Sequence, residues 1–69
     1  MNATLTAHCP DIECEGCARS IHRVLSRLSG VQGVDVDIAD KQVAVRYDDA
    51  QTTEAAVRER LEQAGFPVA

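Results

Sequence analysis

The spacing of apolar side chains in this 69-residue chain switches from period two to a three-and-four pattern, returns to two for a pair of segments, and then reverts to three-and-four. Period two marks a strand with one buried face, and the three-and-four pattern marks a helix with one buried stripe. In residues 3–9, Leu5, Ala7 and Cys9 share a face opposite Thr4, Thr6 and His8. From Ala18 to Leu28, the residues Ile21, Val24, Leu25 and Leu28 form a stripe, while Arg19, Arg23 and Arg27 run down another side. "VQGVDVDI" sets Val34, Val36 and Ile38 against Asp35 and Asp37, and "QVAVRY" sets Val43, Val45 and Tyr47 against Ala44 and Arg46. "ADKQ" between them reads as a hairpin turn, with Asp35 or Asp37 expected to face Arg46 across the pair. A second helix is expected over Thr53–Ala64, with Val57, Leu61 and Ala64 inward.

The punctuation agrees with this order. Pro10 removes a backbone donor and ends the first strand, Gly16 loosens the loop that follows, and the first helix is expected to begin near Cys17. Gly30 and Gly65 read as helix stops. The apolar ending "FPVA" suits a last strand, with Pro67 confined to its edge or start. The order βαββαβ predicts an α+β, ferredoxin-like sandwich: a four-stranded antiparallel sheet with two helices on one face, residues 1–69 forming one domain.

Charge and size exclude several functions. A net charge of −4 with a pI near 4.9, and Tyr47 and Phe66 as the only aromatic residues, leave neither a phosphate-binding nor a base-stacking surface, so nucleic acid is not expected as a partner. A chain this short has no room for a deep catalytic cleft, and an enzyme is not expected. The start "MNATLTAHC" lacks the basic and apolar run of a secretory signal, and no segment has the length of a membrane span. A cytoplasmic chain without direct membrane insertion is the expectation. Three cysteines without a signal fit reduced thiols better than a disulfide framework.

All three cysteines lie in "HCPDIECEGCARSI". A Cys-x-x-Cys whose second cysteine opens a helix places two sulfurs close enough to form a disulfide or to hold one ion. A redox protein of the thioredoxin kind needs a helix after a central parallel strand and a longer chain. A closed zinc site needs four protein ligands, and this chain has one pair. An open two-thiolate site at the domain edge remains, selective for Cu(I), or for Zn(II) or Cd(II) when a further ligand completes the shell.

"DIECEGCARSI", "LSGVQGVDVDI", "KQVAVRYD" and "LEQAGFPV" together resemble the heavy-metal-associated domain. That family includes copper chaperones, the N-terminal domains of metal-transporting P-type ATPases and mercury-binding modules, and the likeness covers nearly the whole chain. The resemblance implies the same fold, metal held by Cys14 and Cys17, and transfer to a homologous metal-binding domain, such as that of a P-type ATPase. A monomer is expected, and an exposed two-thiolate site can cross-link two copies through metal into a dimer. Ile12 stands where the family usually has an inward-anchoring methionine, and its similar volume should keep the loop pinned. Glu13 stands where copper members commonly carry a neutral residue, and it or Asp11 would be an oxygen ligand better suited to Zn(II) than to Cu(I).

Other residues admit plainer roles beside the functional ones. Cys9 is a third sulfur near the loop, but its alternation places it among buried apolar residues. His8 should face solvent on the open sheet face, and His22 should lie on the surface of the first helix. Arg19 and Arg23 form either a solvated face or a docking patch for an acidic partner. Phe66 lies where the family places a residue beside the metal, as an apolar lid if it is not simply packed on the second helix.

Overall fold

The structure, a computed structural model, describes residues 2–69. Its elements are β1 (Asn2–His8), α1 (Glu15–Ser26), β2 (Val31–Asp37), β3 (Gln42–Asp48) and α2 (Glu54–Gln63). The three strands form one antiparallel sheet in the order β1-β3-β2, with Leu5 opposite Val45 and Val34 on its other side. This register aligns the apolar positions of all three strands on the helix side. There Leu5, Ala7, Val34, Val43, Val45 and Tyr47 join Ile21 and Leu25 of α1 and Val57 and Leu61 of α2 in one buried cluster. Each fully buried Leu or Ile contributes roughly 1.5–3 kcal/mol of transfer free energy.

The helix stripes are the ones the periodicity predicts, but α1 starts earlier. Cys14, with φ −153°, is its N-cap, and Glu15 is its first residue. The Cys14 carbonyl accepts from both Cys17 N (3.1 Å) and Ala18 N (3.2 Å). Gly16 therefore lies inside the first turn rather than loosening a loop, because the segment gains two backbone bonds by coiling there. At the other end α1 stops at Ser26, capped by Arg27, one further turn before Gly30. The second helix opens on Thr53, whose side chain accepts from Ala56 N.

The expected fourth strand is absent among the described residues. Past α2 the chain closes in a Schellman motif: Gly65 at φ +90° donates to Glu62 O at 3.0 Å, and Phe66 donates to Leu61 O at 2.9 Å. The Phe66 donor is thus spent on the helix end, and Pro67 has none. What remains of a ladder is a single bond from Ala69 N to His8 O, 2.9 Å, on the outer edge of β1. The tail occupies the place of a fourth strand without the donors to pair as one.

The expected cross-strand charge pair is also displaced. The β2–β3 turn sets Asp37 opposite Gln42 and Asp35 opposite Ala44, so Arg46 falls opposite Gly33, next to a one-residue bulge at Gln32.

Candidate metal-binding loop

The β1–α1 connection, the β2–β3 turn and the end of α2 lie at the same end of the sandwich, because β1, β2 and α2 all run toward it. The connection begins with a tight turn in which Ile12 N donates to Cys9 O at 3.1 Å. Ile12 is fully buried and anchors the loop, as its volume predicts. Past it the chain emerges: Glu13, Cys14 and Glu15 are exposed, and Cys17 is half-buried against the core.

The sulfurs of Cys14 and Cys17 are 3.5 Å apart. As N-cap and third helical residue they lie one above the other at the positive end of the α1 dipole. The Cys17 thiol has a pKa below its ordinary value of 9.0, chiefly because the backbone amide of Glu13 hydrogen-bonds to the sulfur, with the Cys14 side chain next. Partial desolvation and the Glu13 carboxylate oppose this but are outweighed. The backbone therefore favours the thiolate form of Cys17 over the opposing effect of the acids around it.

The remaining candidates divide by position. Asp11 and Glu13 are exposed on the loop beside the cysteines. Cys9 is buried completely, and burial, with Asp11 nearby, pushes its thiol pKa up. Among the described residues, no three or more His, Cys, Asp or Glu side chains are grouped to hold one ion. His8 and His22 are exposed. Arg19 and Arg23 are exposed on α1, and Arg19 Nη2 lies 3.9 Å from Glu15 Oε2, both largely solvated, so the pair is weak. Phe66 is half-buried against the core at the same end as the loop.

One contact lay outside the reach of periodicity. Lys41 donates from Nζ to the Ile12 carbonyl at 2.6 Å. Its signal in the sequence is the solitary lysine of the chain, placed at the last turn position of the hairpin.

These environments rank the thiols. Brief iodoacetamide treatment of the reduced protein at about pH 7.5 is expected to label Cys14 and Cys17 and spare Cys9. Peptide mass spectrometry showing Cys9 labelled as fast as the others would mean that the end of β1 opens readily.

The fold and the paired thiols, Cys14 exposed and Cys17 half-buried, define a small α+β domain with a soft-metal donor pair. The chain belongs to the heavy-metal-associated domain family, whose match spans residues 6–67. It is 31% identical over 64 residues to the mercuric transport protein periplasmic component of Pseudomonas fluorescens, covering 93% of this chain and 70% of that protein. It is 38% identical over 55 residues to the copper-exporting P-type ATPase of Bacillus subtilis (strain 168), covering 80% of this chain and 7% of the ATPase. Among solved structures, oxidized MerP from Ralstonia metallidurans CH34 superposes with a TM-score of 0.93 at 29% identity, covering 100% of this chain and 96% of that one. No helix among the described residues is long and apolar enough to cross a membrane.

Proposed function

We propose that the chain carries one soft metal ion, Cu(I), between the thiolates of Cys14 and Cys17 and passes it by ligand exchange to a domain of the same fold, such as one belonging to a P-type ATPase. The observation behind this reading is the thiol pair itself: 3.5 Å apart, one member exposed, at the start of a helix. Soft thiolates favour Cu(I), which is stable with few ligands. With a metal–sulfur distance of about 2.3 Å, these sulfurs subtend roughly 100° at an ion, and a linear two-coordinate ion requires them to part to about 4.6 Å. Rotation of the exposed Cys14 side chain supplies that opening. An incoming thiolate adds to the ion before one of the original pair leaves, so no free ion is released. Cys17 has Cys14 rather than a histidine as its side-chain partner, which suits a carrier and not a nucleophilic enzyme that needs an adjacent base.

A competition titration of the reduced protein with Cu(I), Hg(II) and Zn(II), repeated on Cys9→Ala, tests the reading. One equivalent of tightly held Cu(I), with the same affinity in the variant, supports it. Preference for Hg(II), the metal in the name of the Pseudomonas fluorescens relative, would keep the site and change the cargo. The reading places the carrier in the cytoplasm, where thiols stay reduced. That relative is named as a periplasmic component, and cell fractionation distinguishes the compartments.

The exposed acids Asp11 and Glu13 on the loop favour a second reading, Zn(II) or Cd(II) held with an added carboxylate. Glu13→Ser should then weaken Zn(II) binding by about tenfold while sparing Cu(I). Equal effects on both metals would dismiss a carboxylate ligand.

Proton competition follows from either reading, since both sulfurs must be deprotonated to bind. Below its pKa each thiol loses up to about tenfold in affinity per pH unit. Because the Cys17 pKa is lowered, its share of the loss begins at a lower pH than for an ordinary thiol. Cu(I) affinity at about pH 5 is expected to be at least roughly 100-fold below that at about pH 7. A flat profile would show that protons do not compete.

A further inference from the structure

We infer that Lys41 is a positioning residue for the metal-binding loop, its ammonium and carbonyl together fastening the segment from Cys9 to Ile12 that leads into Cys14. The inference rests on the proposed role of Cys14 and Cys17, but its geometry stands independently. Lys41 closes the β2–β3 turn at φ +56°, and it is the one non-glycine residue with positive φ among those described. Glycine or asparagine would adopt that conformation at lower cost, so the choice of lysine calls for a role for its side chain.

Two bonds from this residue grip the start of the loop. Its carbonyl accepts from Cys9 N at 2.8 Å, and its ammonium donates to Ile12 O at 2.6 Å. With Ile12 N bonded to Cys9 O, the segment Cys9–Ile12 is fastened at both ends by one residue 29 positions further along the chain. The Ile12 carbonyl and the Glu13 N–H belong to the same peptide group. Lys41 holds that group by its carbonyl, directly before Glu13 and Cys14. The contact is partly buried, which limits screening by solvent. As the only lysine in the chain, Lys41 also sets a single positive charge beside a loop that carries Asp11, Glu13 and Glu15. It fixes the backbone that presents the sulfurs without touching the ion, as outer partners of metal ligands commonly do.

The test compares Lys41→Met, Lys41→Gly and Lys41→Arg with the parent, using Cu(I) affinity against a chelator, the Tm of the metal-free protein, and amide hydrogen exchange at residues 12–17 without metal. Lys41→Met and Lys41→Gly are expected to weaken Cu(I) binding about tenfold and to speed exchange in the loop. Lys41→Gly should do so without lowering the Tm, because glycine takes the turn conformation freely. Lys41→Arg should restore affinity to within about threefold of the parent. Affinities unchanged in the Met and Gly variants, or a loss that follows the Tm and is not rescued by arginine, would overturn the inference. If the parent itself fails to bind Cu(I), the carrier reading falls, and loop exchange still decides on Lys41: faster exchange in the Gly variant upholds its positioning role, and unchanged exchange refutes it.

Discussion

Replacing Cys14 and Cys17 together with serine is expected to eliminate soft-metal binding while leaving the fold intact. Serine keeps the shape, but its hydroxyl is a hard ligand that does not ionise in the working pH range. Four-ligand zinc sites bind with about 10–16 kcal/mol, or roughly 3 kcal/mol per ligand. Losing both ligands of a two-sulfur site therefore removes about 6 kcal/mol, roughly a 10⁴-fold drop in affinity. The fold tolerates the change because Cys14 is exposed and Cys17 only half-buried. The melting temperature of the metal-free variant should lie within roughly 5 °C of the parent. Chelator competition and a thermal melt on the same samples decide the matter. Binding that survives in the double variant would move the site elsewhere, and a collapsed melt would make the cysteines structural.

Leu61→Ala should have the largest effect on stability. Leu61 is completely buried in α2, and its carbonyl receives the Phe66 N–H that closes the helix end, so the cavity opens beneath the Schellman motif. Such truncations remove about 2–5 kcal/mol. Domains carry only about 0.05–0.15 kcal/mol per residue, so the loss takes a large share of what a chain of this length has. A drop in Tm of about 15 °C is expected. Metal at 100 times its dissociation constant should return about 2.7 kcal/mol. Thermal unfolding by circular dichroism with and without metal measures both effects. A loss below about 1 kcal/mol would show that the surrounding side chains close over the gap.

What the sequence made legible was set by period. Leu5, Ala7 and Cys9, or Val43, Val45 and Tyr47, announce their buried face by alternation, and Ile21, Leu25, Val57 and Leu61 announce theirs by helical spacing. The loop was legible for a different reason: two cysteines three apart leave few chemistries open. The misreadings fall where backbone hydrogen bonding overrides pattern. Phe66, Pro67 and Val68 have the composition of a strand, but the Phe66 donor goes to Leu61 and Pro67 lacks one. Gly16 looked like loop until the Cys14 carbonyl drew Cys17 and Ala18 into a first turn. The register set at the β2–β3 turn puts Asp37 opposite Gln42 and Asp35 opposite Ala44, leaving Arg46 opposite Gly33, a pairing that no count of polar and apolar positions reveals. Lys41 escaped notice because its partner, Ile12, lies 29 residues away.

The bulge at Gln32 bears on how copies of the chain avoid one another. β2 is an edge strand, and an edge strand invites a second chain to add to the sheet. Here Gln32 breaks its regularity, and the Arg46 side chain lies across Gly33 so closely that a Cβ there would sit 2.5 Å from Nη2. Asp35 and Asp37 follow as exposed charges on the outer face. An incoming strand would meet a kinked backbone and charged side chains where it needs an even, neutral ladder, so this flank resists aggregation. Under the proposed role, in which the loop end meets a domain of the same fold, the side of the sheet is thereby kept from competing for that contact.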